Sequence, residues 1–251
     1  MGSSLLLRIT LLVSLGLLYS CAGKVPKLKT ADYYFERGIQ AMQKKRCLEA
    51  VEEFQRVVTN FPGSSLVPDA QYQLAEAHYC LKDYVQAVFE YERLMNTYPS
   101  SDRVDDAQYR IAEAFFKQLR RAELDQNETY QALINFRRFI EDNPDSPLVE
   151  TARTAIVECR SVLAKKRYLS ARLYHRQKHY EAATITYKDV LRDFPDTPSY
   201  SATLVRLGEI DLVQERPAEA RAKWLEARDI TEDPKLVKRV DKLLQELDAE
   251  E

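Results

Sequence analysis

Two histidines four residues apart, His175 and His179 in the segment HRQKH, have the spacing with which adjacent turns of a helix hold one metal ion. The segment lacks the glutamate of H-E-x-x-H, and Arg176 and Lys178 would repel a cation. Both histidines therefore read as solvated surface residues. The chain has 3 histidines and 4 cysteines, none in a C-x-x-C, so a closed zinc site is hard to assemble. His78, at a repeat position facing a neighbouring helix, reads as packing. Asp105 and Asp106 are adjacent, so on a helix they diverge and cannot share a proton. Neither G-x-G-x-x-G nor G-x-x-x-x-G-K occurs, and no Ser/His/Asp order or activated cysteine suggests itself. The residues thus predict no enzyme: no catalytic group, no metal and no cofactor. Lys and Arg number 37 against 39 Asp and Glu, so no basic excess marks a nucleic-acid partner.

The chemistry on offer is anchoring and recognition. Residues 1–20, MGSSLLLRITLLVSLGLLYS, read as a signal peptide: Arg8, an apolar run from Ile9 to Leu18, then small residues before Cys21. Leu18-Tyr19-Ser20-Cys21 resembles a bacterial lipobox, with Cys21 as the acylated residue and 21–30 as a lipid-anchored linker. Gly2 does not complete a myristoylation signal, because Leu6 stands where Ser or Thr is wanted. Export means an oxidising compartment. Cys47, Cys80 and Cys159 then remain, an odd number. Two readings stay open: three buried small hydrophobes, or a Cys47–Cys80 bridge, since Cys47 falls in the turn of the first repeat and Cys80 where the second meets it.

The elements that hold these residues are repeats. Glycine is 6 and proline 10, too few for the tight turns of an all-β fold. DAQYQLAEAHY (69–79) returns as DAQYRIAEAFF (106–116), 37 residues on, with 7 of 11 positions identical. An alanine is followed four residues later by an aromatic five times: Ala50/Phe54, Ala87/Tyr91, Ala132/Phe136, Ala183/Tyr187 and Ala220/Trp224. Pro62, Pro99, Pro144 and Pro195 follow the first four aromatics by eight residues, and each ends a helix. Gly38, Ala75, Ala171 and Gly208 lie twelve residues before the alanines, small enough for helices to cross closely; in the third unit Ala112 lies twenty before Ala132. Ser, Asp and Thr after the prolines stand ready to cap the next helix.

This grammar resembles the tetratricopeptide repeat. It predicts an all-α, right-handed α-solenoid of five helix pairs with a C-terminal capping helix. Units one to three span 31–147, with a polar insert at about 118–131. Units four and five span 148–234, with one long helix over about 148–179 because neither proline nor glycine interrupts it. Residues 235–251 form the capping helix, with Leu236, Val240, Leu243, Leu244 and Leu247 on one stripe. In such an array the first helix of each pair lines a groove. Phe35, Tyr72, Tyr79, Tyr109 and Phe116 then form an aromatic wall for a peptide, edged by Asp32, Asp69, Asp106, Glu76 and Glu113. Lys165, Tyr168, Arg172 and His175 continue it as a basic stretch, and Arg172 and Arg176 are the expected contacts for an acidic partner surface.

An exported chain of five such units resembles the BamD family, lipoproteins of the β-barrel assembly machinery. The likeness is strongest at Leu163-Ala164, Ala171, Tyr174, Tyr180, Ala183 and LRDFPDTP (191–198), with the insert and the fused helix. The chain departs from the family at Arg167, where Glu is usual, and at Ile185-Thr186, where Asn-Arg is frequent. The resemblance implies a non-catalytic scaffold at the periplasmic face of the bacterial outer membrane. It implies binding of the C-terminal signals of unfolded outer-membrane proteins, docking on a BamA-type barrel subunit, and company with other assembly lipoproteins. The competing reading is another envelope lipoprotein of this repeat type, coordinating Tol–Pal or peptidoglycan machinery.

Overall fold

Each alanine-plus-aromatic pair buries itself against the helix before it, and the repetition of that contact builds the molecule. A computed structural model describes residues 29–250. Eleven α-helices and no strand occur among them: α1 Ala31–Gln43, α2 Cys47–Asn60, α3 Val67–Cys80, α4 Tyr84–Thr97, α5 Val104–Phe116, α6 Asn127–Asp142, α7 Val149–Arg176, α8 Tyr180–Asp193, α9 Ser199–Val213, α10 Pro217–Ile230 and α11 Pro234–Glu250. Consecutive helices pack in order, so the chain is the expected solenoid of five helix pairs, α1/α2 to α9/α10. The five alanines and their aromatics are all buried. The small residue opposite is required sterically in two units. A Cβ on Gly38 would sit 2.5 Å from the Phe54 ring, and one on Gly208 would collide with Trp224, whose Nε1 donates to the Val205 carbonyl at 3.1 Å.

The turns repeat as well. Lys45, Lys82, Lys178 and Glu215 all adopt left-handed backbone, φ 56° to 61°, one residue before the second helix's N-cap. The next N–H returns to a carbonyl five residues back: Arg46 to Ala41, Asp83 to His78, His179 to Tyr174 and Arg216 to Asp211, at 2.8 to 3.0 Å. This is a Schellman-type stop built without glycine. It ends α7 at Arg176, short of the expected His179, which stands at the N-cap position of α8 without a side-chain capping bond. The two histidines of HRQKH therefore do not share a helix. The serines after the prolines also act one step earlier than expected. Ser64, Ser101 and Ser146 accept from the N–H of Leu66, Arg103 and Leu148, so they fasten the turn and not the helix's first free donors. Thr30 and Asp83 do cap α1 and α4 directly.

The insert runs from 117 to 126, and α6 begins at Asn127, earlier than the sequence indicated. Its polar chain is pinned: Gln126, buried, donates to the carbonyls of Arg121 and Leu124, and Lys166 of α7 reaches Leu124. Helix α7 has 28 residues. Its first half packs Val149, Ala152, Ala155 and Cys159 on Phe136 and Phe139 of α6, and its second half packs Ala171 on Ala183 and Tyr187 of α8. Arg160 on the same helix holds the α8–α9 turn through Asp196 and the Asp193 carbonyl. Arg167, the departure from the family pattern, pairs with Asp193 at 3.3 Å and Asp189 at 3.6 Å. At the far end, Val240 and Leu247 of α11 close the core around Trp224.

Cys47 and Cys80 are bridged, Cα atoms 6.0 Å apart, which ties the turn of the first pair to the end of α3. Cys159 is free and buried, and burial pushes its thiol up to about 12.

Candidate functional site

Aromatic side chains at the first-helix positions need a neighbour to bury against, and each finds one inside its own pair. Phe35 meets Phe54 at 5.7 Å, Tyr72 meets Tyr91 at 5.7 Å, and Tyr79 meets Tyr84 at 5.3 Å between ring centres. Tyr109 and Phe116 both meet Phe136, at 5.8 and 5.9 Å. The five rings thus do not make one continuous wall. Tyr72 is 8% and Tyr109 9% exposed, while Phe35, Tyr79 and Phe116 are half-buried.

The acidic edge is largely neutralised by arginines that staple one first helix to the next. Arg103 reaches back to Asp69 at 3.0 Å and lies over the Tyr72 ring at 5.5 Å. Arg110 grips Glu76 through Nε at 2.9 Å and Nη2 at 3.1 Å, holds Glu113 at 2.6 Å, and covers the Tyr79 ring at 5.1 Å. The Tyr91 hydroxyl donates to the same Glu76 carboxylate. Burial works against the charged guanidinium of Arg110, but Glu76 and Glu113 outweigh it and hold its pKa above the ordinary arginine value. Burial pushes the Tyr72 hydroxyl up to about 12, so the rings face the groove neutral.

One repeat position decides where the groove is filled and where it opens. Three residues after the buried small residues Ala70, Ala107, Ala152 and Thr203 stand Gln73, Arg110, Ala155 and Arg206. Arg110 and Arg206 reach across to the preceding first helix, Arg206 through Nε to the Tyr168 hydroxyl at 3.4 Å. Ala155 cannot. Beside it lies a cavity of about 450 Å³, floored by Tyr109, Phe116 and Phe136 and rimmed by Glu113, Lys117, Thr151, Thr154 and Glu158. Such a cavity accepts an apolar or aromatic side chain. Of the expected wall it brings together Tyr109 and Phe116; Phe35, Tyr72 and Tyr79 lie outside it. Phe136, Ala155 and the arginine staples are site residues the sequence reading passed over. The signal was present in the single small residue, Ala155, at a register otherwise held by Gln73, Arg110 and Arg206.

Arg172 and Arg176 are solvent-exposed on the last turns of α7, and neither makes an ion pair among the described residues. Lys165 is exposed and His175 half-buried. Cys21, the expected lipid-bearing residue, lies outside the described residues. No group of three or more His, Cys, Asp or Glu among the described residues is placed to hold a metal ion, and no helix there is long and apolar enough to cross a membrane.

Repeated helix pairs with an open groove define a tetratricopeptide-type binding scaffold. The outer membrane lipoprotein family YfiO, that of BamD, matches residues 27–223, and the chain belongs to it. No curated protein matches the chain. Among solved structures, the TPR2AB domain of yeast Sti1 in its pHSP90 complex is 15% identical, with a TM-score of 0.49 over 79% of this chain and 76% of that one. The tetratricopeptide protein TTC0263 of Thermus thermophilus is 21% identical, with a TM-score of 0.38 over 86% and 100%. MamA of Desulfovibrio magneticus is 15% identical, with a TM-score of 0.36 over 80% and 94%. At these scores the likenesses carry no functional argument.

Proposed function

We propose that the chain is a non-catalytic scaffold of β-barrel assembly, anchored by lipid on Cys21 at the periplasmic face of the outer membrane. Unfolded outer-membrane proteins present segments that end in an aromatic residue, and the cavity beside Ala155 takes that ring. The observation that carries this reading is the missing staple: at a position where Arg110 and Arg206 fill the groove, Ala155 leaves a hollow walled by three aromatic rings. Ring contacts of about 0.5–1.5 kcal/mol each favour a ring without fixing its sequence neighbours. The exposed Arg172 and Arg176 face a folded partner, a BamA-type barrel subunit, and other assembly lipoproteins join the same complex.

Alanine at Tyr72 is a poor test, because that ring supports Tyr91 in the core. Ala155→Arg is better, because it copies a native solution at the same register. The variant should keep its helical circular dichroism and lose at least tenfold in affinity for a phenylalanine-terminated peptide, read by fluorescence anisotropy. Unchanged affinity in a folded Ala155→Arg protein would overturn the ring-pocket reading. For the anchor, metabolic palmitate should label the wild type and not Cys21→Ala; equal labelling of both excludes Cys21.

A further inference from the structure

The stapled network of pairs two and three recurs in pairs four and five with two changes, a glutamate replaced by arginine and a tyrosine replaced by histidine, and the first of these alters the hub. Tyr72, Glu76, Tyr79, Tyr91, Arg110 and Glu113 correspond to Tyr168, Arg172, His175, Tyr187, Arg206 and Glu209, each 96 residues on. In the first copy the Glu76 carboxylate is the hub: it accepts from Tyr91 and from the Nε and Nη2 of Arg110. In the second copy the hub is Arg172, which cannot accept. Other parts are in place. Tyr168 and Tyr187 meet at a tilt, 5.9 Å between ring centres, and Arg206 holds Glu209 at 2.9 Å as Arg110 holds Glu113. Arg239 of α11 takes the other oxygen of Glu209, so that carboxylate is committed.

The donors that would surround the hub are left over. The Tyr187 hydroxyl is buried, 0% exposed for the residue, and has no hydrogen-bond partner. The Nδ1 of His175, whose ring stands edge-on to Tyr187 at 6.2 Å, has none either, but neither has the hydroxyl of its counterpart Tyr79, so that position lies outside the hub in both copies. The Nη2 of Arg206 makes no hydrogen bond among the described residues, and its Nε has only the 3.4 Å contact to Tyr168. Arg172, Arg206 and Glu209 are the charged groups whose fields reach the Tyr187 hydroxyl. An unmade bond to a buried hydroxyl destabilises the free chain, so an acceptor arriving from outside gains what the first copy already has. A bidentate guanidinium edge selects a carboxylate.

We infer that the groove between pairs four and five is a carboxylate-binding site, in which a carboxylate from a polypeptide ligand takes the place that Glu76 fills internally, held by Arg206, Tyr187 and Arg172. The exposed Arg172 side chain is the member free to move aside and then close on the ligand. The site gives the docking residue Arg172 proposed above a definite chemistry. Its test uses small probes, so it stands or falls without the partner protein and without the ring cavity.

The test is nitrogen–proton NMR of the whole chain in detergent, following the Arg206 Nε–H signal assigned by its loss in Arg206→Lys. One probe is acetyl-Ala-Glu-Ala-amide, with a side-chain carboxylate. The other is acetyl-Ala-Ala-Ala with a free C-terminus, and its amide is the neutral control. At least one acidic probe should shift Arg206 saturably, whereas Arg110, already holding Glu76, stays put; the active probe names the source of the carboxylate. Arg172→Glu supplies the hub internally, so it should raise the melting temperature and weaken probe binding at least tenfold. Tyr187→Phe keeps the ring and should weaken it severalfold. No saturable shift with either probe, or equal binding by Arg172→Glu, overturns the site.

Discussion

A single methyl group separates the two glycine-bearing pairs from the rest. Pairs two, three and four carry Ala75, Ala112 and Ala171 where helices cross, while the first and last carry Gly38 and Gly208. At Gly208 the reason is the size of Trp224, the largest fully buried side chain, whose indole is fixed by the Val205 carbonyl. Neither the ring nor the backbone beneath it has room to yield. Gly208→Ala should therefore cost about 1–3 kcal/mol, the range of overpacked cores. Because Trp224 is the lone tryptophan, urea unfolding followed by its emission reads the loss directly. Gly38→Ala should cost less, because among the described residues the first pair has a neighbour on one side alone and the Phe54 ring can tilt toward the half-buried Phe35. A Gly208→Ala protein as stable as the wild type would remove the steric account.

At the scale of the element, the Cys47–Cys80 bridge does what apolar packing does elsewhere: it fixes one pair against the next. It closes a separation of 33 residues, for which the chain-entropy relation gives about 3–4 kcal/mol. Replacing both cysteines with serine should lower the urea midpoint accordingly. Reductant should lower the wild type to the same value and leave the variant unchanged. Iodoacetamide should label none of Cys47, Cys80 and Cys159 in the folded oxidised chain, since the first two are bridged and Cys159 is buried with its thiol held protonated. The helices themselves were legible in the sequence, because crossing residue, alanine, aromatic and proline recur in phase and each has one steric meaning. The end of α7 was less so: Lys178 takes a left-handed turn that glycine usually signals, and only comparison with Lys45 and Lys82 betrays it. The groove was half legible. Its ring types were visible, but a ring buried inside a pair and a ring facing a cavity occupy the same register. What distinguishes them is the residue on the following first helix, Arg110 or Ala155, which a single repeat does not contain.

For the whole molecule, stability is the sum of near-neighbour contacts along a line, since each pair touches the pairs beside it. Helix α7 is the exception to that locality. It belongs to the core around Phe136 and to the core around Tyr187 at once, with one uninterrupted backbone ladder between them. A hinge is therefore absent at the place where the first three pairs meet the last two. This turns α7 into a ruler. Ala155 marks the ring cavity and Arg172 the carboxylate seat, seventeen residues apart on one helix, about 25 Å along its axis and about 100° around it. An extended polypeptide needs at least about eight residues to cover the axial span. A ligand carrying a ring and a carboxylate at that interval would engage both marks at once, whereas a shorter one must choose, because a continuous helix cannot fold to bring them together.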